Sequence, residues 1–170
     1  MRLEEIRPAI TCCFTGHRPG KLPADIDRRE ALRRALRTDI IRTAEAGFEI
    51  FLCGMALGTD TWAAEEVLAL RERGMPVRLV AALPCPEQDV RWRKEDRRRY
   101  RFLLSQADAL YTACEEYTPY CMAMRNRWMV SNASRIIAVF DGSPGGTAGT
   151  WAEARKKGLE LLLIDPKAVY

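Results

Sequence analysis

Short runs of apolar residues alternate along the chain with longer segments of helical periodicity. The short runs are typical of buried strands, and the longer segments are typical of amphipathic helices. The predicted strands cover residues 9–14, 48–53, 77–83, 109–114, 135–141 and 159–164. The predicted helices cover residues 27–46, 59–74, 87–106, 120–134 and 150–158. This alternation predicts an α/β fold over residues 1–170 as a single domain: a Rossmann-like, doubly wound, mostly parallel sheet with helices on both faces.

Two of the predicted helices start with a capping-box pattern, in which a short polar N-cap residue is followed three positions later by glutamate. In the first helix these residues are Asp27 and Glu30, and in the last helix they are Thr150 and Glu153. We therefore expect Asp27 and Thr150 to be the N-cap residues of these helices.

The composition is that of a globular protein with a sizeable core, since 48% of the 170 residues are hydrophobic. The longest apolar runs fall far short of the roughly 18 residues of a membrane span, and the acidic N-terminus is unlike a signal peptide. We therefore expect a cytoplasmic protein with no membrane partner. The six cysteines form no CxxC pair and there is one histidine, which predicts free thiols and no metal site.

Three predicted loops are rich in glycine and hydroxyl groups. They follow the first, second and fifth strands as "TGHRPGK" (15–21), "CGMALGTD" (53–60) and "DGSPGGTAGT" (141–150). In a parallel sheet such loops emerge at one edge, where ligands bind. Glycine lets a backbone approach a ligand closely, and helix N-termini favour phosphate. The loops predict a pocket for an anionic, phosphate-bearing small molecule, although neither the GxGxxG nor the GxxxxGK[ST] motif is present.

Four stretches resemble the YpsA-like branch of the SLOG superfamily, which takes its name from the DNA-processing protein DprA and the LOG phosphoribohydrolases. They are "CCFTGHRPGKL", "CGMALGTDTWAAEEVLAL", "LPCPEQDVRW" and "MRNRWMVSNASRIIAVFDGSPGGTAGTWAEARKKG". The resemblance covers about residues 10 to 164 and implies a Rossmann-like fold with a pocket for a nucleotide or ADP-ribose-type ligand. LOG enzymes carry PGGxGTxxE, whose glutamate assists cleavage of an N-glycosidic bond. The matching glutamate here is Glu153, with one additional residue between the glycine pair and the following Gly-Thr.

Three residues are candidates for catalysis: Asp60, His17 and Glu153. Asp60 opens a predicted helix, where the helix dipole favours a carboxylate, and it could also contact a ribose hydroxyl or move a proton. His17, the single histidine, could be a structural imidazole, a ligand contact or a general acid or base. Glu153 could be catalytic or a capping residue.

The candidate ligand-binding residues come from the three loops and from the predicted helix 120–134. Arg18 is a permanently charged donor for phosphate. Asn126 could tie down a loop or contact a ligand, and Arg125 could reach a phosphate or be solvated. The full set is Thr15, Gly16, Arg18, Gly54, Gly58, Thr59, Arg125, Asn126, Asp141, Gly145, Gly146, Thr147 and Thr150.

Positive charge is concentrated in residues 91–101, which hold seven basic and two acidic residues. Helical spacing places Lys94, Arg97, Arg98 and Arg101 on one side. This stripe could be a solvated face, a contact for nucleic acid or a contact for an acidic protein partner.

The sequence therefore predicts a protein that binds a nucleotide-derived ligand, such as ADP-ribose, NAD or a nucleoside phosphate, at its glycine loops. It would act as a sensor of that ligand or as a hydrolase of an N-glycosidic or phosphate bond, with no cofactor required. The alternatives are a DprA-like nucleic-acid-binding protein using residues 91–101, and a regulatory protein-interaction module. A homo-oligomer is also expected to be possible.

Overall fold

A six-stranded, fully parallel sheet forms the centre of the computed structural model, which describes residues 1–169. The strands are β1 Thr11–Gly16, β2 Ile50–Cys53, β3 Arg78–Leu83, β4 Ala109–Thr112, β5 Arg135–Val139 and β6 Glu160–Ile164. The helices are α1 Ile26–Glu45, α2 Thr59–Glu72, α3 Lys94–Ser105, α4 Cys121–Ser131 and α5 Gly146–Lys156. The predicted Rossmann-like α/β fold is confirmed.

The strand order is β4-β3-β2-β1-β5-β6. The chain moves outward from β1 to β4 and then returns to pair β5 with the other side of β1. Because βαβ crossovers are right-handed, this reversal places α1, α2 and α3 on one face and α4 and α5 on the other. The reversal also creates a switch point between β1 and β5, where the flanking loops diverge.

Alternate residues of each strand fill the two layers of the core. Phe14 and Phe51 stack at 5.9 Å between centroids under α1 and α2. Cys13 and Leu52 face the layer of α4 and α5. Each large apolar side chain that is fully buried contributes about 1.5–3 kcal/mol to stability, so both layers hold the sheet rigidly beneath its loops.

Two helices on the first face begin at different residues from those predicted. The N-cap of α1 is Asp25, whose Oδ1 accepts a hydrogen bond of 2.9 Å from the backbone N–H of Arg28, so the prediction of Asp27 is wrong. Helix α3 begins at Lys94 rather than at residue 87. Residues 84–92 instead form successive turns, in which the backbone N–H groups of Val90 and Trp92 donate to the carbonyls of Glu87 and Asp89.

The last helix also begins earlier than predicted. Gly145 is the N-cap of α5, and Thr150 lies within the helix. The predicted capping box of Thr150 and Glu153 is therefore wrong, because α5 begins at Gly146, four residues before the predicted start at residue 150.

No helix among the described residues is both long and apolar enough to cross a membrane.

Candidate ligand site at the switch point of the sheet

A cavity of about 540 Å³ opens at the carboxyl edge of the sheet, beside the switch point between β1 and β5. Its volume lies within the range of about 300–1,000 Å³ typical of small-molecule sites. The loops after β1 and β5, the start of α2 and one face of α4 form its walls. The predicted convergence of the glycine loops at one edge is thus realised.

Ten of the sixteen predicted site residues line this cavity. They are Thr15, Gly16, His17, Arg18, Asp60, Arg125, Asn126, Gly145, Gly146 and Thr147. The other six lie outside its lining and are Gly54, Gly58, Thr59, Asp141, Thr150 and Glu153. The lining residues that the sequence did not single out are Phe14, Gly20, Lys21, Ala56, Met122, Met129, Ser143 and Pro144.

His17 connects the three loops that meet at the cavity. Its side chain is buried, and its Nε2 lies 2.7 Å from Oδ1 of Asp141 in the loop after β5. Its carbonyl oxygen accepts hydrogen bonds from the backbone N–H (3.2 Å) and the hydroxyl (3.0 Å) of Thr59, at the start of α2. His17 therefore holds the loops after β1 and β5 and the start of α2 together, and it also forms part of the cavity wall.

The carboxylate of Asp141 is held by protein groups. Lys167 approaches it to 2.9 Å, and the backbone N–H of Ser143 donates a hydrogen bond of 3.0 Å. Hydrogen bonds from Lys167, then Ser143 and His17, hold the pKa of Asp141 well below its usual range. Asp141 is thus a fixed negative charge that orients His17 from behind the cavity wall.

Two of the predicted glycines, Gly58 and Gly16, are required for close packing between loops. A Cβ on Gly58 would lie 2.7 Å from the carbonyl oxygen of His17, and Gly58 has a φ of +94°. A Cβ on Gly16 would lie 2.4 Å from the side chain of Thr59. These glycines let the loops touch one another, so their role is to assemble the site.

Gly146 is different, because it leaves open space at the N-terminus of α5. A Cβ on Gly146 would meet nothing within 4 Å. The N-cap residue, Gly145, provides no side-chain hydrogen bond to the first turn, which contains no acidic residue. The N–H groups of that turn are therefore available to an anion at the cavity wall.

Two charged residues, Asp60 and Arg125, are buried side by side at the base of the cavity. Burial raises the pKa of Asp60, while the positive charge of Arg125, the N–H of Ala56 and the charge of Arg18 oppose that rise. Burial also lowers the pKa of Arg125, which the charge of Asp60 opposes. An arginine nevertheless stays protonated in proteins, so the base of the cavity keeps a buried positive charge.

Arg125 is 4% exposed, which excludes a solvated arginine. Its Nη1 donates to the carbonyl of Gly54 and, at 3.4 Å, to the carbonyl of Ala82. A Cβ on Gly54 would collide with the guanidinium, so the glycine is required for this contact. Within residues 1–169 the buried Nε of Arg125 has no hydrogen-bond partner.

Asn126 connects the two helices on its face of the sheet. Its Nδ2 donates a hydrogen bond of 2.9 Å to the hydroxyl of Thr150, which in turn donates to the carbonyl of Gly146 at 3.0 Å. Asn126 thus ties α4 to the first turn of α5 while also lining the cavity.

Glu153 lies away from Asp60 and His17. It follows Gly146 by seven residues, which is about 10 Å along a helix, and its carboxylate is 3.8 Å from Nζ of Lys157. The structure therefore does not bring the three candidate catalytic residues together. Asp60 and His17 share the cavity, and Glu153 does not.

Lys21 is the main cavity residue that the sequence interpretation missed. Its Nζ donates hydrogen bonds to the hydroxyl of Ser143 (3.0 Å) and the carbonyl of Pro144 (2.9 Å). The available signal was a second basic residue in "TGHRPGK". With Arg18 and Arg125, it gives the lining three basic residues against one carboxylate, that of Asp60.

The basic residues of segment 91–101 fall into two sets, one that forms ion pairs with acidic residues and one that forms none among the residues that the structure describes. Arg97 and Arg101 approach Asp89 to 3.2 and 3.3 Å, and Arg99 pairs with Glu65 at 2.5 Å. A second set of basic residues on this segment has no ion pair within the described residues. Its members are Arg91, Arg93, Lys94 and Arg98.

The fold and the cavity define a Rossmann-like α/β protein with a basic, small-molecule-sized site at the switch point of its sheet. The YpsA family model, described as the YspA SLOG family, matches residues 12–164, so the chain belongs to this family. The resemblance found in the sequence is confirmed.

The chain is similar to bacterial proteins called UPF0398 protein. One from Bacillus thuringiensis (strain Al Hakam) and one from Bacillus cereus (strain AH187) are each 29% identical over 152 residues. The matched region covers 86% of this chain and 83% of each relative.

Two solved structures share the fold. DNA processing protein A (DprA) from Streptococcus pneumoniae matches with a TM-score of 0.64 and 17% identity, over 91% of this chain and 50% of that chain. DprA from Helicobacter pylori, whose structure describes a single-stranded DNA binding mode, matches with a TM-score of 0.63 and 16% identity. That match covers 94% of this chain and 66% of the other. At these identities the likeness concerns the fold alone.

Proposed function

We propose that this protein binds a nucleotide-type, phosphate-bearing small molecule in the cavity at the switch point. The observation that carries the proposal is the open N-terminus of α5, where Gly145 and Gly146 leave backbone N–H groups uncapped by side chains. Lys21 and Arg18 line the same cavity. Unpaired N–H groups, a helix dipole and two basic side chains together favour a phosphate group.

The opposite wall suits the remainder of such a ligand. Asp60 is a carboxylate and would repel a phosphate beside it, but it can accept hydrogen bonds from ribose hydroxyls. Met122 and Met129 add an apolar surface against which a base can pack. The ligand would lie with its phosphate at α5 and its sugar toward α2.

The protein would act either as a sensor of this ligand or as a hydrolase of its N-glycosidic or phosphate bond, and no cofactor is part of the proposal. In the second case Asp60 and His17 are the groups placed to move a proton at the cavity. Incubation of the protein with ADP-ribose followed by chromatography distinguishes the two, because it shows whether the nucleotide is cleaved. A cytoplasmic location is part of the proposal, since the six cysteines are unpaired, as is usual in a reducing compartment.

Replacing Gly146 by Asp is expected to weaken binding of ADP-ribose and AMP at least about tenfold, which corresponds to about 1.4 kcal/mol. The new side chain would enter open space without steric conflict, but its charge would occupy the anion position. Isothermal titration calorimetry measures the affinity. Gly146→Asn tests the size of the side chain without the charge and is expected to bind more tightly than Gly146→Asp.

Gly149→Asp is the matched control, because Gly149 lies on the same helix, is exposed, has open space around it and does not line the cavity. This variant should bind like the unmodified protein. Equal affinity of all variants would contradict a phosphate at α5. Failure of the unmodified protein to bind ADP-ribose, AMP and inorganic phosphate at millimolar concentration would contradict the proposal itself.

A second candidate function is binding of single-stranded nucleic acid along α3. Lys94, Arg98 and Phe102 follow one another at intervals of four residues and therefore share a side of the helix. The two basic groups have no ion pair within residues 1–169, and Phe102 is 63% exposed. Basic groups suit the phosphate backbone of a single strand, and an exposed aromatic ring suits stacking with its bases. The fold shared with H. pylori DprA supports this candidate.

Replacing Arg98 by Glu is then expected to weaken binding of a labelled single-stranded oligonucleotide severalfold and to reduce the salt dependence by about one unit of slope. Fluorescence anisotropy at several salt concentrations measures both quantities. Arg34→Glu is the control of equal charge, since Arg34 is exposed on α1. Equal losses in both variants would show a general charge effect and contradict a site on α3.

A further inference from the structure

Two cysteines flank the loop that joins β4 to α4. Cys114 follows β4 and is half-buried, whereas Cys121 is the first residue of α4 and is buried. Residues 115–120 between them are all exposed. The loop thus covers one thiol and leaves the other in contact with solvent.

Thr118, in the middle of this loop, brings the two sulfur atoms together. Its hydroxyl lies 3.2 Å from Sγ of Cys121 and 3.9 Å from Sγ of Cys114. Its backbone N–H also donates to Sγ of Cys121 at 3.0 Å. The loop therefore folds back on itself around a pair of thiols that share one hydrogen-bonding partner.

The ionisation of the two thiols is linked. A hydrogen bond with the Cys121 thiol is the main cause that raises the pKa of Cys114. Burial alone would raise the pKa of Cys121, but hydrogen bonds from Cys114 and from Thr118 outweigh it and lower this pKa. A thiolate at the first residue of a helix is also favoured by the helix dipole. The negative charge of the ionised pair therefore resides mainly on Cys121.

The other four cysteines are free and buried. Burial raises the pKa of Cys12, Cys13 and Cys53, which lie in the two central strands. Cys85 is buried between two prolines. Of the six cysteines, all of which lie within the described residues, Cys114 alone is not buried, so the sulfur that solvent reaches lies at the loop between β4 and α4.

We propose that Cys114 and Cys121 form a reversible thiol–disulfide pair, in which a hydroperoxide oxidises the two thiols to a disulfide. Cys114 is the sulfur that solvent reaches, and Cys121 is the resolving thiolate beneath the loop. The site does not depend on the ligand of the cavity. It would make the loop a sensor of oxidants, the usual role of a disulfide in a reducing compartment.

The chemistry balances in two steps. Cys114 passes its proton to the Cys121 thiolate and attacks one oxygen of the hydroperoxide, and the O–O bond breaks. With hydrogen peroxide, hydroxide leaves and takes the proton from Cys121 to become water, while Cys114 becomes a sulfenic acid. The Cys121 thiolate then attacks Sγ of Cys114, the S–O bond breaks and hydroxide leaves as water after taking a proton. Two thiols lose two electrons and two protons, and hydrogen peroxide is reduced to two molecules of water.

The position of Cys121 gives oxidation a route to the cavity. Cys121 precedes Met122, which lines the cavity, and lies four residues before Arg125 on the same helix. A bond to Cys114 would fix the first turn of α4 to the end of β4.

The test is hydrogen peroxide treatment of the reduced full-length protein, followed by blocking of free thiols, trypsin digestion and mass spectrometry. Trypsin releases both cysteines in one peptide, residues 102–125, because that stretch holds no lysine or arginine before its last residue. We expect this peptide to lose the mass of two hydrogen atoms and to resist alkylation until a reductant is added. The peptides with the other four cysteines should keep free thiols.

One variant tests the order of the steps, and a second tests the identity of the pair. In Cys121→Ser the Cys114 sulfenic acid has no resolving partner, so dimedone should label Cys114. In Cys85→Ser the disulfide should form as before. Oxidation of other cysteines before this pair, a disulfide between two molecules, or no dimedone label in Cys121→Ser would each overturn the proposal.

Discussion

Replacing Arg125 by methionine is expected to lower the free energy of unfolding by about 3 kcal/mol, because it leaves a nearby buried charge without compensation. Methionine keeps the apolar stem but removes the donors to the carbonyls of Gly54 and Ala82. It also leaves the buried carboxylate of Asp60 without its main positive neighbour. Urea denaturation measures the loss.

The loss should depend on pH in a defined direction. Burial already raises the pKa of Asp60 in the folded protein, and removing Arg125 should raise it further. The unfolded chain has an ordinary aspartate pKa of about 3.9. Between these two pKa values the folded state binds more protons, so its stability falls as the pH rises through that window. The deficit of Arg125→Met should therefore be smaller in acid and largest near neutral pH.

A second substitution isolates the charge. Asparagine at position 60 keeps an acceptor for the N–H of Ala56 and removes the charge. The double variant Asp60→Asn/Arg125→Met should be more stable at neutral pH than Arg125→Met alone, with little dependence on pH. Arg127→Met, at an exposed position of the same helix, is the control and should change stability by less than about 0.5 kcal/mol. A deficit of equal size at every pH would contradict a charge interaction between Asp60 and Arg125.

The sheet could be predicted because each strand is a short apolar run and each helix has its own periodicity. The strand order could not be predicted, because no local sequence pattern indicates that β5 returns to pair with β1. The predicted first residues of helices were wrong where two sequence signals competed. At α5 a capping-box pattern at Thr150 favoured a later start, but the Gly145–Gly146 pair ended the loop first.

The location of the site could be predicted more readily than the role of each residue. Parallel strands bring their loops to one edge, which placed His17, Asp60 and Gly146 together. The sequence could not separate Gly146, which leaves open space, from Gly58, which packs against a neighbouring loop. That difference depends on tertiary distances. The same is true of Lys167, which reaches Asp141 from the far end of the chain.

The packing of Gly58 provides the second large effect. Alanine at this position is expected to lower the free energy of unfolding by about 3 kcal/mol, from backbone strain of about 1–3 kcal/mol at φ +94° and ψ −122° and a further contribution from overpacking. The added Cβ would lie 2.7 Å from the carbonyl oxygen of His17 and 3.1 Å from Cα of Arg18. Because both obstacles are backbone or fixed to it, the loop after β1 must move away from α2.

Gly47→Ala is the control, since Gly47 has nearly the same φ of +92° and nothing within 4 Å of its Cβ position. Its loss should be about 1 kcal/mol, the strain alone. Gly58→Ala should also weaken binding of ADP-ribose, because the displaced loop carries Arg18 and Lys21, while Gly47→Ala should bind normally. Denaturation curves and calorimetry measure the two effects. Equal stability losses in the two variants would show that the contact between the loops contributes nothing, and that His17 does not assemble the site.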